Sequence, residues 1–141
     1  MQTRPSSILA LDVGAARIGV ASASLLARLP SPLTTLKNEG DIAANIKHLA
    51  EEHGAAGIVV GLPRGLDGQH TAQTLATEEF ASALKKVVDV PLYWQDEALT
   101  SAKAEAELHA RGKPYSKGDI DALSATYILE DFLRDNPGEV T

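Results

Sequence analysis

The chain contains no cysteine among its 141 residues. Because thiols supply disulfides, thiolate zinc ligands and thiol nucleophiles, their absence excludes all three. Basic residues are also few: 13 lysines and arginines stand against 19 aspartates and glutamates, giving a net charge of −6. Proteins that hold nucleic acid by bulk electrostatic attraction carry the opposite sign, so any nucleic-acid contact must be local.

Long apolar runs are missing as well. The amino terminus, MQTRPSSILALDVG, has no apolar run of signal-peptide length, and no segment has the length of a membrane span. We therefore expect a cytoplasmic protein with no membrane partner. The length predicts one domain over residues 1–141, with frayed tails at about 1–6 and 135–141.

The order of apolar runs predicts an α/β fold with a mixed five-stranded sheet flanked by helices. Ile8–Leu11 and Arg17–Ser24 predict an opening hairpin, and Leu33–Leu36 a short third strand completing a β-meander. Alternating helical and strand patterns then predict βαβ units with parallel strands. These elements are helices over about 42–53 and 71–88, strands over 57–62 and 92–95, and closing helices over about 100–111 and 117–134.

Asp12 interrupts the apolar stretch ILALDVGAARIGVA at the end of a predicted strand. A carboxylate near a core needs a partner, because desolvating it alone costs several kcal/mol. Asp12 could accept amides of the following turn, pair with Arg17, or bind a cation or a phosphate-linked metal. The pattern alone leaves these interpretations open.

Two further acids follow the last predicted strand. Asp96 and Glu97 are adjacent, so their side chains point to opposite faces and only one can join Asp12. We favour Glu97, with Asp96 as the alternative; ordinary surface charge is the other open interpretation of the pair. Sites in open α/β sheets gather where such strands end.

The predicted helix SKGDIDALSATYILEDF contains two aspartates, Asp119 and Asp121, whose positions along the helix predict different roles. Asp119 lies three residues after Ser116, a spacing typical of a reciprocal amino-terminal cap. Asp121 shares a face with the apolar residues Ala125, Ile128 and Phe132, so its carboxylate faces the sheet.

If Asp12, Glu97 and Asp121 meet, their charges repel one another. A hard divalent cation such as Mg²⁺ would resolve that conflict. Such a site could direct metal-activated water at a phosphodiester without any cysteine or histidine.

Local basic residues offer phosphate contacts. Arg17 and Arg64 lie near predicted strand ends, where a guanidinium could bind phosphate bidentately or simply be a surface charge. The segment RGKPYSKG places Arg111, Lys113 and Lys117 around Tyr115 just before Asp121. It is either a local strand-binding patch or a solvated turn between helices.

Four motifs in order resemble one family. DVGAARIGVA resembles the D-x-G-x-x-R-I-G-V-A opening of the YqgF family, the pre-16S rRNA nucleases also described as RuvC-like Holliday junction resolvases. VVGLPRGLDG resembles that family's V-G-L-P…D-G strand and loop. DEALT resembles its D-E-R-L-T, and DIDALSATYIL resembles its closing helix; together the motifs extend from Ile8 to about Leu133.

The resemblance implies an RNase H-like fold and nucleic-acid cleavage dependent on Mg²⁺ or Mn²⁺. The family's catalytic and metal-binding acids fall on Asp12, Glu97 and Asp121. We therefore expect a nuclease that processes the 5′ end of pre-16S rRNA, with ribosomal particles as further partners, acting as a monomer or weak homodimer. Ala98 stands where the family has arginine, so a basic contact is missing.

Three other functions stay open. Resolution of branched DNA shares the site but requires two sites for symmetric cuts, and hence a dimer. A D-x-G hairpin also binds nucleotide phosphates in the actin-like ATPases, although this chain is short for their two-domain cleft. Given Ala98, the protein could also be a non-catalytic RNA- or ribosome-binding module.

Overall fold

The computed structural model describes residues 6–63, 71–97 and 100–138. Within these ranges, five strands form one sheet: β1 (Ser7–Val13), β2 (Arg17–Ser24), β3 (Ser31–Lys37), β4 (Ala55–Pro63) and β5 (Leu92–Glu97). Their order across the sheet is β3-β2-β1-β4-β5. β1, β2 and β3 pair antiparallel, whereas β4 pairs parallel to both β1 and β5. The predicted mixed sheet with an opening meander is confirmed.

The helices follow the predicted order. They are α1 (Ile42–Glu52), α2 (Ala72–Lys85), α3 (Thr100–Ala110) and α4 (Lys117–Asp135). No helix in the described part of the chain combines the length and apolar character needed to cross a membrane. The predicted tails lie largely outside the described residues.

Each face of the sheet has its own apolar core. Ile8 and Ala10 of β1 pack with Ile128 and Phe132 of α4. The alternate residues of β1, Leu9 and Leu11, pack on the opposite face with residues of α1 and α2. This follows from the two-residue period of a strand, which sends successive side chains to opposite faces. α4 therefore covers one face, and α1 and α2 cover the other.

Four strands, β1, β3, β4 and β5, are longer than predicted, and β5 includes Asp96 and Glu97, which were expected to follow it. β1 continues through Asp12 to Val13, because its pairing with β2 extends to Val13 and Ile18. The Gly14 amide donates to the Arg17 carbonyl at 2.9 Å and closes the hairpin. β4 includes Pro63, assigned to a loop from sequence; as the last strand residue, Pro63 interrupts no interior hydrogen bonds.

The start of α4 is fixed by the predicted cap. The Ser116 hydroxyl accepts from the Asp119 amide at 3.2 Å, and the Asp119 carboxylate accepts from the Ser116 amide at 2.9 Å. This reciprocal arrangement satisfies amides that have no partner within the helix. Asp119 is thus used in the cap, and Asp121 is left to face the sheet.

Candidate active site

Asp12 and Glu97 come from strands on either side of β4, and both lie on the face that α4 covers. Asp12 has the same parity as Ile8 and Ala10, which pack under α4. Glu97 has the same parity as Tyr93, whose ring centroid lies 5.2 Å from that of Phe132 in α4. Glu97 is half-buried and Asp96 is exposed. The structure therefore places Glu97, the favoured residue, on the face that carries Asp12.

Asp121 joins this face from the first turns of α4. Its Oδ2 accepts a hydrogen bond from Arg17 Nε at 2.5 Å, and the side chains are 18% and 38% exposed, respectively. One interpretation of the sequence paired Arg17 with Asp12, and that pairing is wrong. Although Arg17 stands close to Asp12 in the chain, α4 crosses β2 at a point where Asp121 reaches the guanidinium.

A glycine allows α4 to approach Asp12 this closely. Gly19 of β2 lies directly opposite Asp12 in the β1–β2 register. A Cβ atom on Gly19 would lie only 1.9 Å from the Asp121 carbonyl oxygen. Any side chain there would push the start of α4 off the sheet and carry Asp121 away from Asp12. Sequence reasoning missed Gly19, although a glycine inside a strand often marks a close backbone approach.

A second glycine makes room beside Glu97. A Cβ on Gly61 of β4 would lie 2.4 Å from Ile128 Cδ1 and 3.4 Å from Glu97 Cγ. Because Gly61 has no side chain, α4 can pack closely against β4 next to Glu97 of β5. Gly61 was also overlooked from sequence, where it was treated only as part of a buried strand.

Neighbouring polar contacts hold the same end of the sheet. Thr35 of β3 donates to the Gly118 carbonyl at 2.6 Å and ties the first turn of α4 to the sheet. Gln73 of α2 donates to the Val13 carbonyl at 2.9 Å, and Asn38 donates to the Gly14 carbonyl at 2.9 Å. These three positioning residues carried no sequence signal, because each acts through a partner distant in the chain.

The acids influence one another electrostatically. The pKa of Asp12 is raised from 3.8 to about 7, first by burial, then by the negative charge of Glu97, and then by that of Asp121. A buried carboxyl beside two like charges is stabilised in its protonated form. A cation placed among these groups would relieve the repulsion.

The donor chemistry fits a hard divalent cation, because all three side chains offer carboxylate oxygens. Within residues 6–63, 71–97 and 100–138, however, no three histidine, aspartate or glutamate side chains form a ready-made metal-binding group. Arg17 already holds Asp121. The arrangement is consistent with Mg²⁺ binding, because Mg²⁺ is usually held by few carboxylates together with substrate phosphate oxygens.

The predicted basic residues divide between two cavities. A cavity of about 470 Å³ is lined by Arg17 and Asp121 together with Tyr115 and Lys117. Arg111 and Lys113 line a second cavity of about 280 Å³, which Tyr115 also borders. Arg64 and Ala98 lie outside the described residues.

This sheet and helix arrangement is an RNase H-like fold, as predicted, and it resembles solved structures of RuvC. Thermus thermophilus RuvC in complex with a Holliday junction substrate matches with a TM-score of 0.60 and 15% identity, covering 94% of this chain and 97% of that one. A second Thermus thermophilus RuvC structure matches with a TM-score of 0.50 and 15% identity, covering 92% of this chain and 95% of that one.

The family follows from sequence comparison. A family model described as "RuvX: Holliday junction resolvase" matches residues 6–135, and the chain belongs to this family. A protein of Chloroflexus aggregans named "Putative pre-16S rRNA nuclease" is 42% identical over 137 residues, which cover 93% of this chain and 96% of that relative. A protein of the same name from Thiobacillus denitrificans is 41% identical over 131 residues and covers 90% of each chain. The predicted resemblance is confirmed.

Proposed function

We propose that this protein is a metal-dependent nuclease that hydrolyses phosphodiester bonds at Asp12, Glu97 and Asp121, and that its substrate is the 5′ end of pre-16S rRNA. The observation that carries the proposal is the convergence of these acids, from β1, β5 and α4, on one face of the sheet. The raised pKa of Asp12 supports it, because Glu97 and Asp121 both contribute to the shift. Perturbed carboxyl groups of this kind cluster at functional sites.

Asp12, Glu97 and Asp121 would hold Mg²⁺ or Mn²⁺. When bound, such an ion activates water and stabilises the charge that develops on the phosphate. Arg17 keeps Asp121 in place through Nε, and both residues line the cavity of about 470 Å³. From there Arg17 is suited to contact a substrate phosphate, because a guanidinium matches phosphate geometry. Lys117 and Tyr115, on the same cavity, would contact the adjoining strand.

Precursor rRNA is favoured over branched DNA by the relatives that carry the name pre-16S rRNA nuclease, whose lengths this chain nearly covers. In this proposal the protein meets this precursor within ribosomal particles, which are therefore its further partners. In this proposal the whole chain acts as one nuclease domain, cytoplasmic, and as a monomer or weak homodimer. The protein's net charge of −6 fits recognition through local contacts and metal bridges rather than bulk attraction.

The test is cleavage of labelled substrates by the wild-type protein and by Asp12→Asn. A pre-16S rRNA fragment and a four-way DNA junction are each incubated with Mn²⁺, with Mg²⁺ or with EDTA. We expect metal-dependent cutting of the RNA that Asp12→Asn abolishes while circular dichroism shows an intact fold. Full cleavage by the folded variant would overturn the assignment of Asp12.

Junction resolution is the second candidate, favoured by the family's description and by the similarity in fold to a RuvC bound to a junction. It predicts a stable symmetric dimer, because symmetric cuts need two sites. Sedimentation at micromolar concentration distinguishes the two: a monomer that cuts RNA excludes resolution as the main activity. If a folded wild-type protein binds RNA but cuts neither substrate, the non-catalytic binding module replaces both.

A further inference from the structure

The second cavity lies between α3 and α4, and Tyr115 borders both this cavity and the one that Asp121 lines. The second cavity has a volume of about 280 Å³, and its lining includes the buried apolar residues Leu108 and Leu123, which form its floor. Leu108 and Leu123 belong to the cluster that packs α3 against α4, and Tyr115 packs against this cluster. The floor is therefore part of a packed core.

The rim of this cavity carries basic side chains. Arg111 lines the cavity, and its guanidinium donates to Glu107, one turn earlier in α3, at 2.8 Å. Lys113 follows in the connecting loop and is exposed. The acidic residue on the lining, Asp119, is occupied by the Ser116 amide in the helix cap. A planar apolar group attached to an anionic one would match this combination of floor and rim.

Tyr115 connects the cavity to the candidate active site. It lines the cavity that holds Arg17 and Asp121, and it also lines the cavity between α3 and α4. Lys117, two residues later, borders the active-site cavity. A strand with one phosphate beside Asp121 can thus pass Tyr115 and bring a neighbouring nucleotide to the second cavity.

We propose that the cavity between α3 and α4 binds the base of a single-stranded nucleotide flanking the scissile phosphate. Tyr115 provides the stacking surface, while Arg111 and Lys113 contact the phosphate attached to that nucleotide. Base stacking on aromatic residues tolerates any sequence, because every base has a π-face. This inference rests on the proposed nuclease function and assigns a position to the flanking strand that the family resemblance does not.

The test uses single-stranded RNA with 2-aminopurine placed in turn at each position around the cleavage point. Stopped-flow fluorescence with the full-length protein and Mn²⁺ records stacking as rapid quenching, and gel analysis of the same mixtures records cleavage. We expect quenching at one flanking position. Tyr115→Leu should abolish this quenching and weaken binding about tenfold, whereas Tyr115→Phe should retain both.

The basic rim is tested separately with Lys113→Gln. This substitution should weaken RNA binding at low salt and reduce the dependence of binding on salt, because one phosphate contact is lost. Lys85→Gln is the matched control, since Lys85 is an exposed residue of α2 on the opposite face of the sheet. Equal effects of the two substitutions would overturn the assignment of Lys113.

The two readouts separate this inference from the proposed function. Cleavage without quenching at any position, or with quenching unchanged in folded Tyr115→Leu, would overturn the base-binding cavity and leave the nuclease intact. Quenching that depends on Tyr115 but no cleavage would keep the cavity as a nucleic-acid site and overturn the nuclease. Neither quenching nor cleavage would overturn both.

Discussion

Arg17 and Asp121 are separated by 104 residues in the chain, yet Arg17 Nε donates to Asp121 Oδ2 at 2.5 Å. The contact joins the first residue of β2 to α4 at the edge where Asp12 lies. It places a positive charge on Asp121, one of the two acids whose negative charge raises the pKa of Asp12. Arg17 therefore acts as an internal counter-ion of the candidate site and orients Asp121.

Replacing Arg17 with glutamine should impair both stability and activity. The pair is partly exposed, so we expect a loss of about 1 kcal/mol in the free energy of unfolding. Cleavage should fall at least about tenfold, because Asp121 loses its orientation and the substrate phosphate loses a donor. Urea unfolding and kcat/KM measure the two effects. Arg134→Gln, which removes the exposed pair with Asp131, should change neither, and an equal fall in cleavage would refute the role of Arg17.

Asp12 should make stability depend on pH. Its pKa is about 7 in the folded protein, against an ordinary value of 3.8. Between these values the folded state binds more protons than the unfolded state, so the free energy of unfolding falls as pH rises. In EDTA, we expect this group to remove on the order of 4 kcal/mol between about pH 4 and pH 8. Urea unfolding of Asp12→Asn should show a correspondingly smaller decline, and an unchanged slope would contradict the shift.

Divalent cations should stabilise the folded protein above about pH 7, where Asp12 is ionised and the carboxylate repulsion is greatest. Ligands that bind only the folded state raise its stability in proportion to the logarithm of their concentration. At about pH 8, millimolar Mn²⁺ should raise Tm in the wild type, and EDTA should reverse the increase. Asp12→Asn should respond much less. An identical rise in both proteins would show that the cation binds elsewhere.

Gly19→Ala should disrupt the packing of α4 on β2. The added Cβ would lie 1.9 Å from the Asp121 carbonyl oxygen, so backbone must move. We expect a loss of about 3 kcal/mol or more in the free energy of unfolding, together with loss of cleavage. Gly118→Ala in α4 is the control for stability, because its Cβ would have no neighbour closer than 3.5 Å. Equal stability of the two variants would show that α4 does not depend on Gly19.

Glu97 and Asp96 provide a direct comparison of adjacent acids on opposite faces. Glu97→Gln should reduce cleavage by about 100-fold or more if Glu97 contacts the metal or the reacting phosphate. Asp96→Asn should retain most activity, because Asp96 is exposed on the other side of β5. Initial cleavage rates with Mn²⁺ decide the matter. The reverse ranking would transfer the role to Asp96.

Much of the fold could be predicted because it is recorded in short-range patterns. The two-residue period of β1 and the helical phase of α4 each assign faces, so Asp121 could be aimed at the sheet from sequence alone. The cap formed by Ser116 and Asp119 was predictable for the same reason, since its partners are three residues apart. The four family motifs then identified the three acids, whose catalytic and metal-binding roles stay predictions.

The tertiary structure decided which distant groups meet. Sequence proximity suggested that Arg17 pairs with Asp12. Because α4 packs on β2, Arg17 instead forms its ion pair with Asp121. The need for glycine at position 19 likewise arises only when α4 packs on the sheet, and so do the two cavities that Tyr115 borders. Local periodicity fixes the direction of a side chain from its own element. Its partner depends on where the opposing element crosses, which is set by the packing of the whole sheet.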